Sequence, residues 1–168
     1  VYKRQVYTPL NNSEKYTLVL MGRADFGLLG SYNKYKQTPF ETFHVGGDGM
    51  TGSYTYATET IGLRGYDNGA LTPYSDGRAY TRFSMELHFP FLLQPSSTIY
   101  GLAFVEGGNA WTSLENFNPF SLKRSAGVGV RIFLPMIGLM GIDWAYGFDK
   151  VQGEKGGGHF HFILGQEF

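Results

Sequence analysis

The chain has 168 residues, with 14 Lys+Arg against 14 Asp+Glu, so its formal net charge is zero. A neutral chain without a basic tail gives no electrostatic reason to expect a nucleic-acid partner. There is no cysteine, which excludes disulfides, thiolate metal sites and a cysteine nucleophile. The longest uncharged apolar stretch, residues 132–142, is interrupted by Pro135 and is too short for a transmembrane helix.

The composition departs from that of a soluble domain. Charged residues make up 17% of the chain, below the roughly 25% that is usual, while aromatic residues reach 17% and glycine 24 residues. The sequence begins at Val1 with neither an initiator methionine nor a signal peptide. We therefore expect it to be part of a longer protein.

Hydrophobic side chains alternate with polar or small ones along most of the sequence, a period of two that is typical of strands. In residues 79–91, for example, Phe83, Met85 and Leu87 alternate with Arg82 and Glu86. No helical period competes, and short connections alternate with long ones, so every consecutive pair can be antiparallel. The predicted strands are part of one before Pro9 and others near residues 16–30, 79–91, 98–111, 122–134, 138–148 and 159–168.

Two architectures fit such strands. A transmembrane β-barrel turns its apolar face to lipid, whereas a soluble β-sandwich or lipocalin-like barrel turns it inward. The polar faces are rich in Gly and poor in Lys, unlike a solvated exterior. Aromatic residues also crowd the strand ends, as in an interfacial girdle. These observations favour the membrane barrel. A closed membrane barrel needs at least eight strands, so this chain cannot close one alone.

Three segments carry a resemblance to a known family. The first is Pro39-Phe-Glu-Thr-Phe-His-Val-Gly-Gly47, followed after an insertion by Gly62-Leu-Arg-Gly-Tyr66. The second is Phe104-Val-Glu-Gly-Gly-Asn-Ala-Trp111 with Arg124-Ser-Ala-Gly-Val-Gly129, and the third is Phe160-His-Phe-Ile-Leu-Gly-Gln-Glu-Phe168. Together they resemble the C-terminal barrel portion of BamA-type outer-membrane assembly factors, in the POTRA-barrel insertase superfamily.

This resemblance implies an all-β fold, a sixteen-stranded antiparallel transmembrane barrel of which the chain is roughly the last six strands. The N-terminal strands and the periplasmic POTRA domains would precede it. Residues 1–168 would then be the C-terminal part of one barrel domain. Residues 31–79 would be a long extracellular loop that folds into the lumen. The insertion between Gly47 and Gly62 departs from the family pattern, which leaves the conformation of the loop tip open.

A long loop that returns into a barrel needs an anchor, because its closure entropy otherwise keeps it outside. Arg64 offers a planar fork of donors suited to carboxylates, and Gly65 allows close approach of the backbone. The acceptors that we expect are Glu86 and Glu106, on the polar faces of the next two strands. In the resembled family this Arg-Gly-aromatic loop, here completed by Tyr66, is received by acidic residues at matching positions.

The terminal segment resembles the recognition signal of outer-membrane barrels, with alternating aromatic residues that end in an aromatic residue. Its members are Phe160, Phe162, Leu164 and Phe168. In the resembled family the last strand also pairs weakly with the first and forms a lateral gate toward the bilayer. Gly165 fits this role, since glycine weakens a strand interior and permits a kink.

We expect neither an enzyme nor a bound cofactor. There is no G-x-S-x-G motif, and no spacing joins His44, Asp48, Ser84 and His88 into a base, a nucleophile and an oxyanion site. His159 and His161 share a strand face, but without cysteine two lumenal histidines are the preferred interpretation over a metal site.

The resemblance implies a central insertase of the outer-membrane β-barrel assembly machinery, integral to the outer membrane of a Gram-negative bacterium. Its partners would be outer-membrane protein clients, assembly-machinery lipoproteins, the lipid bilayer and lipopolysaccharide, with no nucleic acid. The alternatives are a TamA-like assembly module, a two-partner secretion transporter of the FhaC kind, a passive porin-like barrel and a lipolytic barrel enzyme.

Overall fold

The structure is a computed structural model that describes residues 1–11, 17–30, 41–49, 58–74, 76–94, 97–135, 138–151 and 156–165. A short 3₁₀ helix, Leu114–Asn116, follows the sixth strand, and the described residues include no helix long and apolar enough to cross a membrane. The strands are β1 (Tyr2–Pro9), β2 (Val19–Leu28), β3 (Thr42–Val45), β4 (Thr58–Ile61), β5 (Ala79–Gln94), β6 (Ser97–Trp111), β7 (Lys123–Leu134), β8 (Gly138–Gly147) and β9 (Gly158–Leu164).

Seven of these strands form one antiparallel sheet in the order β1-β2-β5-β6-β7-β8-β9. Neighbours in the sheet are therefore neighbours in sequence, apart from the segment inserted between β2 and β5. The predicted all-β antiparallel fold is confirmed. The sheet is open, with β1 and β9 at its two ends, as expected for a fragment of a barrel.

Several strand bounds differ from the prediction; β2 and β9, for example, end earlier than residues 30 and 168. The strand predicted before Pro9 spans Tyr2–Pro9, and all eight of its residues pair with β2. Strand β5 was predicted to stop near residue 91 but continues to Gln94, with a register shift between Pro90 and Leu92. Because proline has no N–H to donate, the ladder is interrupted there, and the bulge lets the strand continue past the interruption.

The two faces of the sheet differ sharply in polarity. On β8, Asp143 is fully buried, whereas its neighbour Trp144 is 43% exposed. A soluble sandwich would bury the apolar face instead, so the soluble alternative is wrong. Exposed outer side chains include Met85, Val105, Val128, Ile132, Ile142, Tyr146, Phe160 and Phe162. Buried inner ones include Asp25, Arg82, Ser84, Glu86, Glu106, Arg131 and His161.

The inserted segment packs on the polar face of the sheet. Its parallel strands β3 and β4 bring Phe43, Val45 and Ile61 into one cluster with Tyr80 of β5. The rings of Phe43 and Tyr80 meet edge to face, with centroids 4.7 Å apart. Residues 31–79 were predicted to be an extracellular loop that enters the lumen. Residues 31–40, 50–57 and 75 of that loop lie outside the described residues.

Strand β6 places apolar side chains on the otherwise polar inner face. Leu102 and Phe104 are buried there and pack with Ala145 of β8. Gly127 lies opposite Phe104 on β7, where a Cβ atom would come within 2.5 Å of the Phe104 ring. The glycine-rich inner face of β7 therefore makes room for an aromatic ring in the middle of the sheet.

Candidate functional site: the buried anchor of the inserted segment

The candidate site is built around a tight turn at residues 63–66. Leu63 is fully buried, and its N–H donates to the carbonyl of Gly47 at 3.0 Å. Gly65 has φ +89°, in the left-handed region that favours glycine. The turn therefore holds the Arg64 side chain against the polar face of the sheet.

Arg64 is surrounded by three carboxylates that come from three different strands. Its Nε donates to Glu106 Oε1 at 3.1 Å, and its Nη2 donates to the same oxygen at 2.6 Å. Nη1 donates to Asp143 Oδ2 at 3.0 Å, and Nη2 also contacts Glu86 Oε1. The sequence-predicted residues Arg64, Glu86 and Glu106 are thus brought together. Asp143 is an additional partner.

The guanidinium also lies on an aromatic face. The Arg64 Cζ atom is 3.6 Å from the centroid of the Phe104 ring. A cation placed over an aromatic ring is attracted by the electrons of its face, and the attraction grows when water is excluded. Phe104 therefore supplies one side of the pocket, while the carboxylates receive the donors in the guanidinium plane.

Charge keeps this arginine ionised despite its burial. Burial works to lower the pKa of Arg64, but the neighbouring carboxylates, with Glu106 the strongest, outweigh it and raise that pKa well above its usual value. A buried charge of this kind is stabilised only while it stays paired and hydrogen-bonded. The anchor consequently depends on all of its acceptors.

The cluster extends along the inner face of the sheet. Arg82 Nη2 donates to Glu106 Oε1 at 2.9 Å, and Arg131 binds Asp143 through both of its Nη atoms. In the described part of the chain, the ion-pair network of the inner face contains equal numbers of arginines and acidic residues. They are Arg23, Arg64, Arg82 and Arg131 with Asp25, Glu86, Glu106 and Asp143.

Gly65 brings the turn into direct contact with the sheet backbone. A Cβ atom at this position would lie 2.8 Å from Ser125 Cβ and 3.0 Å from the backbone nitrogen of Gly147. A Cβ at Gly147 would in turn lie 2.4 Å from the Gly65 carbonyl oxygen. A pair of glycines is therefore needed for the turn to reach β8.

Tyr66 connects the turn to β7 through a hydrogen bond. Burial raises the pKa of Tyr66, so its hydroxyl stays protonated and donates to the backbone carbonyl of Arg124 at 2.6 Å. The N–H of Asp149 approaches the same hydroxyl at 3.4 Å. The Arg-Gly-Tyr turn thus contacts β5, β6, β7 and β8 within three residues.

The turn also contacts the last strand through a residue that sequence reasoning did not select for this purpose. The Gly65 N–H donates to Nε2 of His161 at 3.0 Å, and His161 is buried. His159 lies 3.2 Å from Asp67 through its Nδ1. The described residues contain no group of three His, Asp or Glu side chains arranged to hold a metal.

The predicted terminal residues lie apart from this cluster. Phe160, Phe162 and Leu164 point to the exposed outer face of β9. Gly165 was expected inside a strand, but β9 ends at Leu164 and Gly165 follows it with φ +102°. Its backbone departs from the strand conformation, but its N–H still donates to the carbonyl of Leu139 on β8 at 2.8 Å. A role of Gly165 in a gate stays a prediction. Phe168 lies outside the described residues.

The comparisons with known proteins agree with this architecture. The whole chain, residues 1–168, matches the Omp85 superfamily domain. No curated protein matches the chain. The Omp85 superfamily consists of outer-membrane proteins that insert or transport other proteins, and an all-β antiparallel sheet with an apolar outer face suits a wall of such a barrel. The chain belongs to the Omp85 superfamily.

Proposed function

We propose that this chain is the C-terminal part of a central insertase of the outer-membrane β-barrel assembly machinery. The observation that carries the proposal is the buried Arg64 anchor, which holds the inserted segment against four strands of the sheet. Such an anchor would keep the interior of the barrel ordered while one edge of the barrel opens.

The edge that opens is β9. Within the described part of the chain, the side of β9 away from β8 has no strand paired to it. An unpaired strand edge presents N–H and C=O groups, and in hydrocarbon each unsatisfied group costs several kcal/mol. In the full barrel, the first strand would cover this edge weakly and form a lateral gate.

An incoming client strand can satisfy the same backbone groups. We propose that clients add their strands to β9 by β-augmentation and leave as closed barrels, with no covalent chemistry. Phe160, Phe162 and Leu164 are exposed on the outer face of β9. Local thinning of the bilayer beside this strand would lower the barrier to insertion.

The proposed partners follow from this mechanism. Outer-membrane protein clients would meet the edge of β9, and lipid would cover the outer face of β5 to β8. Lipopolysaccharide would contact that face in the outer leaflet. Assembly lipoproteins would bind parts of the protein outside this chain. The proposed location is the outer membrane of a Gram-negative bacterium.

The gate can be tested with a photo-crosslinking residue in the full-length protein. Phe162, Ile142 and Val130 are register partners at one level of β9, β8 and β7, and all three point outward. Phe162 is 60% exposed and Val130 is 44% exposed. A crosslinker at position 162 should capture newly made barrel proteins during assembly, while one at position 130 should capture only lipid.

Other results would favour another function. Capture of one secreted protein, and of no barrel protein, at position 162 would favour a two-partner secretion transporter. Absence of client capture at position 162 would contradict the insertase and favour a passive barrel. Equal capture at positions 162 and 130 would mean that clients contact the outer face of the sheet without preference for β9, which would contradict the proposed gate.

A further inference from the structure

A hydrogen bond between Gly65 and His161 joins the Arg-Gly-Tyr turn to β9, the strand of the proposed gate. Gly65 and His161 are 96 residues apart in sequence, yet the Gly65 N–H donates to His161 Nε2 at 3.0 Å. Arg64 forms ion pairs with carboxylates of β5, β6 and β8, whereas His161 lies on β9. The imidazole is therefore the point at which the turn is tied to the last strand.

This hydrogen bond can form only when Nε2 of His161 is unprotonated. A backbone N–H can donate only to a ring nitrogen that carries a lone pair, so Nε2 must be unprotonated and the imidazole neutral. An imidazolium has an N–H at both ring nitrogens and cannot accept the bond. Histidine is the side chain whose ordinary pKa, about 6.5, lies closest to neutral pH.

The surroundings of His161 come from three elements. Asp143 of β8 is its cross-strand partner, but the carboxylate already receives Arg64 and Arg131. The inserted segment contributes Asp48 and Arg64, and β9 itself contributes His159, whose ring stacks on His161 at 6.2 Å. Two carboxylates and two basic side chains therefore lie around His161.

We propose that His161 is a positioning residue whose neutral imidazole ties the Arg-Gly-Tyr turn to the last strand and whose protonation releases that tie. A proton on Nε2 would point at the Gly65 N–H and replace attraction with repulsion. The ion pairs of Arg64 do not involve His161, so the turn would stay on β5, β6 and β8. The release is thus confined to β9, and its consequence for a gate rests on the proposed function.

The test measures the distance between the inserted segment and the last strand. Tyr74 and Phe160 are both well exposed, so nitroxide labels on cysteines at these positions disturb little packing. The full-length protein, with no other cysteine, is placed in lipid vesicles. Distances are measured by pulsed spin resonance at about pH 7.5 and about pH 5, on either side of the ordinary histidine pKa.

Three variants separate the acceptor from the charge. His161→Gln keeps an oxygen that can accept the Gly65 N–H but cannot titrate in this range. His161→Ala removes the acceptor. His159→Gln is the matched control, because His159 lies on the same strand face but pairs with Asp67 rather than with Gly65.

The expected result is a narrow distance distribution in the wild type at the higher pH that broadens at the lower pH. The distribution of His161→Gln should stay narrow at both pH values, and that of His161→Ala should be broad at both. His159→Gln should behave as the wild type does.

A wild-type distance distribution that is the same at both pH values would overturn the proposal. So would broadening of His161→Gln at the lower pH, since a group other than His161 would then carry the effect. If His161→Ala does not fold, the comparison of wild type with His161→Gln still tests the proposal. No client protein is present in this experiment, so its result does not bear on the insertase proposal, which the crosslinking experiment tests separately.

Discussion

Glu106 receives both the backbone and the side chain of Arg64. One oxygen accepts the Arg64 N–H at 2.9 Å, and the other accepts two donors of its guanidinium. These residues are 42 positions apart in sequence, so a single carboxylate fixes the position of the turn and the direction of its side chain together. Arg82 and Ser84 donate to the second oxygen as well, so Glu106 is the common acceptor of three residues.

Replacing Arg64 should loosen the inserted segment. Arg64→Ala leaves the carboxylates of Glu86, Glu106 and Asp143 with fewer donors, and removing one partner from a buried ion pair costs about 3–5 kcal/mol. We expect faster cleavage of the segment by an external protease when the full-length protein is embedded in vesicles. Arg64→Lys should be intermediate, since an ammonium cannot serve three carboxylates in one plane.

The matched control is Arg124→Ala. Arg124 also pairs with an aspartate, Asp149, but its side chain is 69% exposed. Exposed pairs contribute little to stability, about 0–1 kcal/mol. Cleavage of Arg64→Ala at the wild-type rate, or equal acceleration in the Arg124→Ala control, would contradict the anchor.

Neutralising Glu106 should reduce the stability of the folded barrel. Glu106→Gln keeps the shape of the side chain but leaves Arg64 and Arg82 with less negative charge, so we expect a loss of about 3–5 kcal/mol. The measurement is the urea midpoint of the full-length protein, followed by its mobility as a folded species in a gel. Glu115→Gln, on the exposed 3₁₀ helix, should leave the midpoint unchanged. Equal midpoints for the two variants would refute the prediction.

A methyl group at Gly65 should push the turn away from the sheet. Gly65→Ala adds both backbone strain and contacts under 3 Å with Ser125. Gly138→Ala provides a matched control, because Gly138 also has a positive φ, +96°, but open space around its Cβ position. We expect protease sensitivity of the inserted segment to rise in Gly65→Ala only. A similar rise in both variants would assign the effect to backbone strain alone.

Loss of the Tyr66 hydroxyl should have a smaller effect than loss of the Arg64 side chain. Tyr66→Phe removes one hydrogen bond to the Arg124 carbonyl, which is expected to cost about 0.5–1.5 kcal/mol. The urea midpoint should fall slightly, whereas Tyr74→Phe, at an exposed position, should not change it. A Tyr66→Phe loss as large as that of Arg64→Ala would mean that the hydroxyl, rather than the ion pairs, holds the turn.

Much of the fold could be predicted from local pattern. The period of two assigns residues to faces, so the sequence alone places Arg82, Glu86, Arg131 and Asp143 together on the inner face. Pattern alone could not decide which face turns inward, because a membrane barrel and a soluble sandwich share this alternation. The structure decides it, since the polar side chains are buried and the apolar ones are exposed.

The candidate site was predictable in part. Arg64, Glu86 and Glu106 were expected from the chemistry of a loop held by carboxylates together with the resemblance to a known family. Asp143 and His161 did not follow, because their nearness to the turn depends on the register of β8 and β9, which only long-range pairing determines. Gly165 lies just after β9 rather than inside it, since nothing local in the sequence marks the end of that strand.

The central claim is that the outer face of this sheet meets lipid. A nitroxide at Ile142, which is 51% exposed in the middle of β8, tests it directly in the full-length protein in vesicles. Phe120, exposed in the connection between β6 and β7, is the control position. The label at position 142 should collide often with oxygen, which dissolves in hydrocarbon, and rarely with a water-soluble nickel complex, while position 120 should show the reverse. Frequent nickel collisions at position 142, or protection from both reagents there, would contradict the membrane-barrel account.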